Sequence, residues 1–434
     1  MTQHLTDARI LVADDQKDVA RTLCRPLQKA GARLHYVTDG QAALEQMASR
    51  PYDLVLIDMK MPPGEWGGLW LLQQMKTEGW SIPSLVLSGE GSKQQVIEAL
   101  RLNAQDWIVK DDTADLLERC TSILTEHHQR SFETATHQLP TPLAYRFARY
   151  ARTADADKKL IEGLHTLEAI LRFAAVIGLA STPPTPLKGI TAEQLAAPSM
   201  GTWFTLCTAL AKAPNAGEDF TRTLSWLIPE PSDHQRVQTL IALRNDLAHG
   251  REPSHPTQED HLHALLTRFA HRATCAWRTR LVTPTSMTYD GTQFFIDVLN
   301  HKGVTRPTPE TAALPNSVIT GQPLLITQDG TPTPLAPWLL TPADESTGAL
   351  RCLLFDGLQR TKGSALSTTT PFRYTKTDEG EKPPSVIHPQ AVWPTLENWT
   401  APSATGPANA SHQPAKQTHP PLPPGLPDSS STLS

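Results

Sequence analysis

Residues 54–62 read LVLIDMKMP, and the fold of the first third of the chain turns on them. Leu54, Val55, Leu56 and Ile57 form a short, partly β-branched apolar run that passes directly into Asp58 and then a loop. Pro51 stands just upstream, so the run reads as a buried central strand and not as a helix. An acid at the carboxyl end of such a strand lies where open α/β sheets place their ligands.

The flanking sequence repeats the pattern. ARILVADD is an apolar run ending in Asp14 and Asp15, and VARTLCRPLQKAG has helical spacing with Gly31 as its stop. RLHYVTDG, SLVLSGEG and DWIVK read as further strands. QAALEQMAS, LWLLQQMKTEG, SKQQVIEALRLN (opened by Ser92) and ADLLERCTSILTEHH read as helices. Five βα units imply a doubly wound parallel sheet over residues 1–128. In a parallel sheet the carboxyl ends of the strands share one edge. Asp14, Asp15, Asp58, Ser88 and Lys110 therefore converge on one crevice. Carboxylates crowded together repel, which favours a hard divalent cation such as Mg2+. A hydroxyl and a lysine suit the extra oxygens of a phosphoryl group carried on one carboxylate.

This constellation resembles the receiver domain of bacterial response regulators. The resemblance implies that Asp58 is the phospho-acceptor and that Asp14, Asp15, Asp58 and the Lys60 carbonyl form the Mg2+ site. Ser88 and Trp107 correspond to its switch positions, and Lys110 to its phosphate-contacting lysine. Lys60 and Glu90 match positions that tune the lifetime of the aspartyl phosphate. A sensor histidine kinase is the implied partner. Two departures stand out: the loop Pro63–Gly68 is longer than usual and carries Trp66, and Asp111 replaces the proline that usually follows the lysine.

The bulk numbers fit a reducing cytoplasmic setting. The chain has 434 residues, room for several domains, with 39 basic and 44 acidic side chains. That balance is not the footprint of a dedicated DNA-binding protein. The five cysteines are scattered without metal or redox spacing. No stretch approaches the roughly 18–20 apolar residues of a membrane helix.

HQLPTPL, from His137, looks like the phospho-accepting box of sensor kinases, yet no glycine-rich ATP module follows. Pro140 and Pro142 would break a helix there, so residues 129–155 read as a linker. Residues 156–282 read as an all-α helical bundle. Leu160, Leu164, Leu167, Ile170, Leu171, Ala174 and Ile177 form its first core stripe, with Glu162 and Glu168 on solvated faces. TWFTLCTALAK, EDFTRTLSWLI, HQRVQTLIALRNDLAHG and QEDHLHALLTRFAHRATCAWRTRL supply further helices. Trp203, Phe204 and Trp226 read as core residues.

Within the bundle, Asn245 and His249 are four apart and share a helix face, with Arg244 beside it. An arginine, an amide and a histidine can hold and cleave a phosphodiester without metal. This stretch resembles the R-x4-6-H signature of HEPN domains, many of which are metal-independent ribonucleases acting as dimers. The resemblance implies a homodimer, with RNA as a possible ligand and Arg244, Asn245 and His249 as possible catalytic residues. Alternatively, Gly250 ends the helix, His249 complements its dipole, and the bundle is an interaction or dimerisation module. Residues 131–280 hold 16 basic and 14 acidic side chains, a weak attraction for RNA. His255, His261 and His263 lack a fitting ligand set and read as solvated.

Residues 283–375 read as a small β-rich module of five or six strands. Asp290-Gly291, Asp329-Gly330 and Asp356-Gly357 are its hairpin candidates. Residues 376–434, rich in proline, read as a disordered tail. The expected whole is a multidomain, cytoplasmic two-component response regulator, without specific DNA binding, whose helical output is a phospho-regulated interaction switch or, alternatively, a ribonuclease.

Overall fold

The computed structural model describes residues 5–89, 93–250, 257–344, 348–359, 370–376, 386–392 and 394–400. Glu90, Ser92, His255 and most of 376–434, singled out above, lie outside these residues. The first strands and helices are β1 (Arg9–Ala13), α1 (Lys17–Leu23), α2 (Arg25–Lys29), β2 (Arg33–Val37), α3 (Gly40–Ser49), β3 (Leu54–Asp58), α4 (Gly67–Thr77), β4 (Ser84–Ser88), α5 (Lys93–Arg101) and β5 (Asp106–Val109). The strands form one parallel sheet in the order β2-β1-β3-β4-β5. β1, β3 and β4 are buried along their whole length, as unbroken apolar runs require when helices cover both faces. The helix expected at 19–31 is split into α1 and α2. Pro26 lacks the N–H an uninterrupted helix would need, and it fits near the start of α2 instead.

The next helix, α6 (Leu116–Gln138), runs 23 residues without a break, about 35 Å at 1.5 Å per residue. Its first half packs Leu116, Cys120 and Leu124 against the receiver-like sheet. Its second half buries His128, Ser131 and Ala135. α7 (Thr141–Arg152) follows at once. The stretch 129–155 is therefore mostly helix where a linker was expected. Pro140 and Pro142 lie at the N-cap and first turn of α7, where a missing N–H costs little, and they break nothing. His137 occupies the exposed last turn of α6.

The bundle continues with α8 (Ala156–Ser181), α9 (Ala192–Ala196), α10 (Met200–Leu210), α11 (Glu218–Leu227), α12 (Pro231–Ala248) and α13 (Thr257–Ala276). α8 is its axis, and Trp203 and Trp226 fill the core as expected. Among the described residues α8 is the one helix long and apolar enough to cross a membrane, and 72% of its apolar window is buried within the protein.

Two antiparallel sheets follow where one β module was expected. The first has the order β10-β9-β6-β7-β8, built from β6 (Arg280–Tyr289), β7 (Phe294–Asn300), β8 (Thr308–Leu314), β9 (Leu324–Ile326) and β10 (Pro332–Pro334). The second has the order β11-β12-β13-β14, built from β11 (Leu339–Leu340), β12 (Leu353–Leu358), β13 (Pro371–Lys376) and β14 (Val386–Val392). Asp290-Gly291 and Asp329-Gly330 turn hairpins, as expected. Asp356-Gly357 does not. It is a bulge inside β12, where Gly357 has φ +104° and its backbone lies so close to the Ala196 carbonyl that a Cβ would stand 2.5 Å away. The fold also extends past residue 376: β14 pairs with β13, and α14 (Pro394–Glu397) leads to Trp399, which is fully buried beside Trp338.

The bundle is fixed to the parallel sheet at the edge opposite Asp58. Asp53, one residue before β3, is completely buried and takes two hydrogen bonds from Arg272 of α13, both 2.8 Å. The Arg9 N–H donates to the same carboxylate at 2.8 Å, and His271 Nε2 donates to the Asp53 carbonyl at 2.9 Å. Burial alone would raise the Asp53 carboxyl. The Arg272 charge and hydrogen bonds outweigh burial and hold it well below the ordinary carboxylate range. Asp53, His128 and His271 stand close enough to suggest a metal site. With both Asp53 oxygens committed to Arg272, they form an ion-pair junction instead. Around it, Asp7 pairs with Arg236 at 2.6 Å and Arg33 at 2.9 Å, Arg9 pairs with Glu230, and Arg278 stacks 3.7 Å over the Trp80 ring.

Removing one partner of a buried pair strands the other charge. We expect Arg272→Ala to lose about 3–5 kcal/mol of stability at neutral pH by urea denaturation. The deficit should narrow as pH falls. The wild-type pair keeps its contribution until pH drops through the depressed Asp53 pKa, whereas the unpaired, buried Asp53 of the variant is relieved by protonation. An unchanged midpoint at neutral pH would show that the junction carries no stability.

Candidate functional site

The parallel sheet brings the predicted groups to one edge. Asp14 and Asp15 directly follow β1, Asp58 and Ser88 end β3 and β4, and Lys110 directly follows β5. The carboxylates of Asp14, Asp15 and Asp58 each place an oxygen within 4.8 Å of the others. Asp14 and Asp58 are buried and Asp15 is exposed, so the cluster opens to solvent on one side. Lys110 Nζ bridges the buried pair, 2.8 Å from Asp14 and 2.9 Å from Asp58. The Gln16 N–H donates to the other Asp14 oxygen at 2.8 Å, fixing the carboxylate's orientation.

The electrostatics follow from this packing. Burial raises the Asp58 carboxyl above its ordinary value, the Lys110 hydrogen bond and charge oppose the rise, and Asp14 and Asp15 add to it. Burial works against the Lys110 ammonium, but its hydrogen bonds to Asp14 and Asp58 raise its pKa all the same. Three carboxylates against one ammonium leave excess negative charge in a pocket of oxygen donors. That donor set fits a hard divalent cation, with Asp14, Asp15 and Asp58 as the groups that would hold it.

Ser88 is buried at the end of β4, and its carbonyl accepts from the Lys110 N–H at 2.9 Å. Trp107 is half-buried on β5, paired in register with Val86. Lys60 is exposed in the loop after β3, with its ammonium 5.8 Å from the Trp66 ring centre. Trp66 is half-covered.

The second group of predicted residues is arranged differently. Gly250 has φ +70° and ends α12, and His249 is its exposed C-cap. Asn245 is exposed on the same side. Arg244 turns the other way, into a half-buried position 3.9 Å from Glu168 of α8. Glu162 and Glu168, expected on solvated faces, are both largely covered and ion-paired, Glu162 with Arg149 at 2.5 Å and Glu168 with Arg172 at 3.3 Å. Sequence spacing gave α8 its apolar stripe. It could not show that α7 and α12 pack arginines over the polar side.

The similarities to known proteins fall on the parallel-sheet region. Residues 10–121 match the family model "Response regulator receiver domain". The regulatory protein AtoC of Escherichia coli is 31% identical over 109 residues, 25% of this chain and 23% of that protein. The transcriptional activator protein IrlR of Burkholderia pseudomallei is 32% identical over 123 residues, 28% of this chain and 52% of that protein. Among solved structures, the receiver domain of NtrX from Brucella abortus is 29% identical, covering 27% of this chain and 98% of that one with a TM-score of 0.25. The chain thus spans about a quarter to a half of the length of these full-length relatives. With its five-stranded parallel sheet and the carboxylates at its edge, the segment from residue 10 to 121 is a response regulator receiver domain.

Proposed function

We propose that the protein is a two-component response regulator that accepts a phosphoryl group on Asp58 from a sensor histidine kinase. The observation that carries this reading is Lys110 Nζ, held between Asp14 and Asp58 at 2.8 and 2.9 Å, beside three carboxylates within 4.8 Å. An Asp58 oxygen attacks phosphorus, the P–N bond to the donor histidine breaks, and the histidine leaves with a proton. Asp14, Asp15, Asp58 and the Lys60 carbonyl would hold Mg2+, which offsets the charge gathered on the phosphoryl oxygens. Lys110 then leaves Asp14 to pair with the new phosphoryl oxygens, and the Ser88 hydroxyl donates to another.

The output, in this reading, is the helical part of the chain acting as an interaction or dimerisation switch. Trp107 lies on β5, three residues before Lys110, and α6, which begins six residues after Lys110, continues unbroken into the bundle. A change at the phosphate edge therefore has a stiff path to the helices. AtoC is named a regulatory protein and IrlR a transcriptional activator. Here the near-balanced charge of residues 131–280, 16 basic against 14 acidic, favours a protein partner over DNA. The domain limits proposed are a receiver through residue 128 and a HEPN-like bundle ending near 282, with residues 129–155 belonging to the helical part.

We expect a small phosphodonor to label the wild-type chain only when Mg2+ is present, and Asp58→Asn to abolish the label. Retained label in that variant would place the acceptor elsewhere. For transmission, we expect phosphorylation to change amide hydrogen exchange in residues 129–138 of α6. Trp107→Ala should accept phosphate normally yet lose most of that change. Identical exchange with and without phosphate in the wild type would remove α6 as the path.

A further inference from the structure

Thr205, Thr208 and Ala209 of α10, and Lys212 just beyond its end, follow one another at three- and four-residue spacing and share one side. Across from them α12 brings His234 and Gln238, which are also one turn apart. The loop 185–188, after α8, forms a third wall. This loop is held in place where the Leu187 N–H donates to the Trp399 carbonyl at 3.0 Å, with Leu187 itself buried. The three walls bound an open cavity of about 510 Å³, a size typical of small-molecule sites.

The cavity is apolar at its floor and cationic at its rim. Phe204 and Leu187 are buried, and the Phe204 ring meets the His234 ring edge-on with centroids 4.9 Å apart. Lys188 and Lys212 are exposed, and neither makes an ion pair or hydrogen bond among the described residues. Among those residues no carboxylate lines the cavity. Asp233, next to His234 in sequence, is buried and pairs with Arg236 at 3.0 Å. The Thr205 and Thr208 hydroxyls donate to the Gly201 and Phe204 carbonyls within α10, both at 2.9 Å, so they offer a ligand only acceptor oxygens. The His234 ring and the Gln238 amide make no hydrogen bond among the described residues, which leaves their N–H donors for a ligand.

From this geometry we infer a binding site for a small organic acid, a carboxylate carried on an apolar body. The body displaces water from Phe204, Leu187 and Ala209, and this burial supplies the non-directional part of binding. The carboxylate meets the ammonium groups of Lys188 and Lys212, and the His234 and Gln238 N–H groups donate to its oxygens. Among the described residues no arginine and no glycine lines the cavity, so it lacks the guanidinium fork and the backbone nest that follow the several oxygens of a phosphate. Two point charges beside apolar surface suit a carboxylate. The site shares no residue with the Asp58 cluster or with Arg244, Asn245 and His249. It gives the helical part of the chain a chemical input separate from Asp58.

The test is equilibrium dialysis of the full chain at low ionic strength against 2-naphthoate, an apolar carboxylate, and against 2-naphthalenemethanol, its neutral counterpart. EDTA is present so that the acidic receiver pocket holds no cation that could bind the probe. We expect Lys188→Gln and Lys212→Gln each to weaken naphthoate binding about threefold and the double variant to weaken it about tenfold. Lys29→Gln, on α2 of the receiver, should bind as the wild type does. The neutral alcohol should bind about tenfold more weakly than naphthoate, and added salt should weaken naphthoate alone. An unchanged urea midpoint shows that the double variant is folded, whatever the outcome of Asp58 labelling. Equal affinity of wild type and double variant, equal affinity for the carboxylate and the alcohol, or no binding by the wild type overturns the site.

Discussion

The Asp53–Arg272 pair sets the geometry of everything downstream. Both side chains are buried, at 0% and 3% exposure, and the pair joins the residue just before β3 to the carboxyl-terminal part of α13. β3 carries Asp58 at its other end, five residues on, or about 17 Å at 3.3 Å per residue. One strand therefore has the candidate phosphate acceptor at its carboxyl end and the bundle fixed to its amino end. A bundle held there cannot be released by a phosphoryl group that merely competes for the same surface. In the proposed reading, a signal has to cross the depth of the receiver.

Two physical links span that depth. One is the core: a single apolar cluster extends from Leu11, Val55 and Ile57 of the sheet through Trp80 to Leu266 and Phe269 of α13 and on to Phe355 of the second β sheet. Such packing transmits strain but resists large rotations. The other is α6, whose two halves belong to different surroundings. Its amino-terminal half moves with β5 and the receiver, and its carboxyl-terminal half is packed against α7 and α13. In the proposed reading, this unbroken helix carries a small tilt at Lys110 and Trp107 to Ala135. The surrounding ion pairs, Asp7 with Arg236 and Arg33 among them, limit that displacement to a shift and not a separation.

The receiver was legible because its chemistry is written in contiguous runs. Each strand is an apolar stretch that ends in the residue that matters, so Asp58, Ser88 and Lys110 could be placed on one edge without any knowledge of packing. The bundle was legible as helices but not as a surface. Glu168 reads as solvated from its spacing, but Arg172 one turn further along α8 and Arg244 of α12 both pair with it. Arg272 and His271 gave no signal either, because the meaning of a basic residue on an amphipathic helix depends on the single acid it meets 219 positions away. The stretch 129–155 was misread for a local reason. Prolines count as breakers in a helix interior, and here they start a helix. Asp356-Gly357 has the letters of a turn, but the close approach of the Ala196 carbonyl uses the glycine for a bulge.

Arg272 and Arg146 are covered guanidinium groups in the same molecule with opposite consequences. Arg272 meets a carboxylate with both oxygens free to accept, and its charge is consumed in holding two parts of the chain together. Arg146 is covered by α7 and α8 without such a partner, beside an unpaired imidazole and a guanidinium that shares its acid. Desolvation costs both: Arg272 is offset by direct hydrogen bonds to a carboxylate, whereas on Arg146 the more distant charges of Glu162 and Glu168 only partly oppose burial. Only replacing both members of such a pair by well-packed apolar residues can be neutral; removing one strands the other.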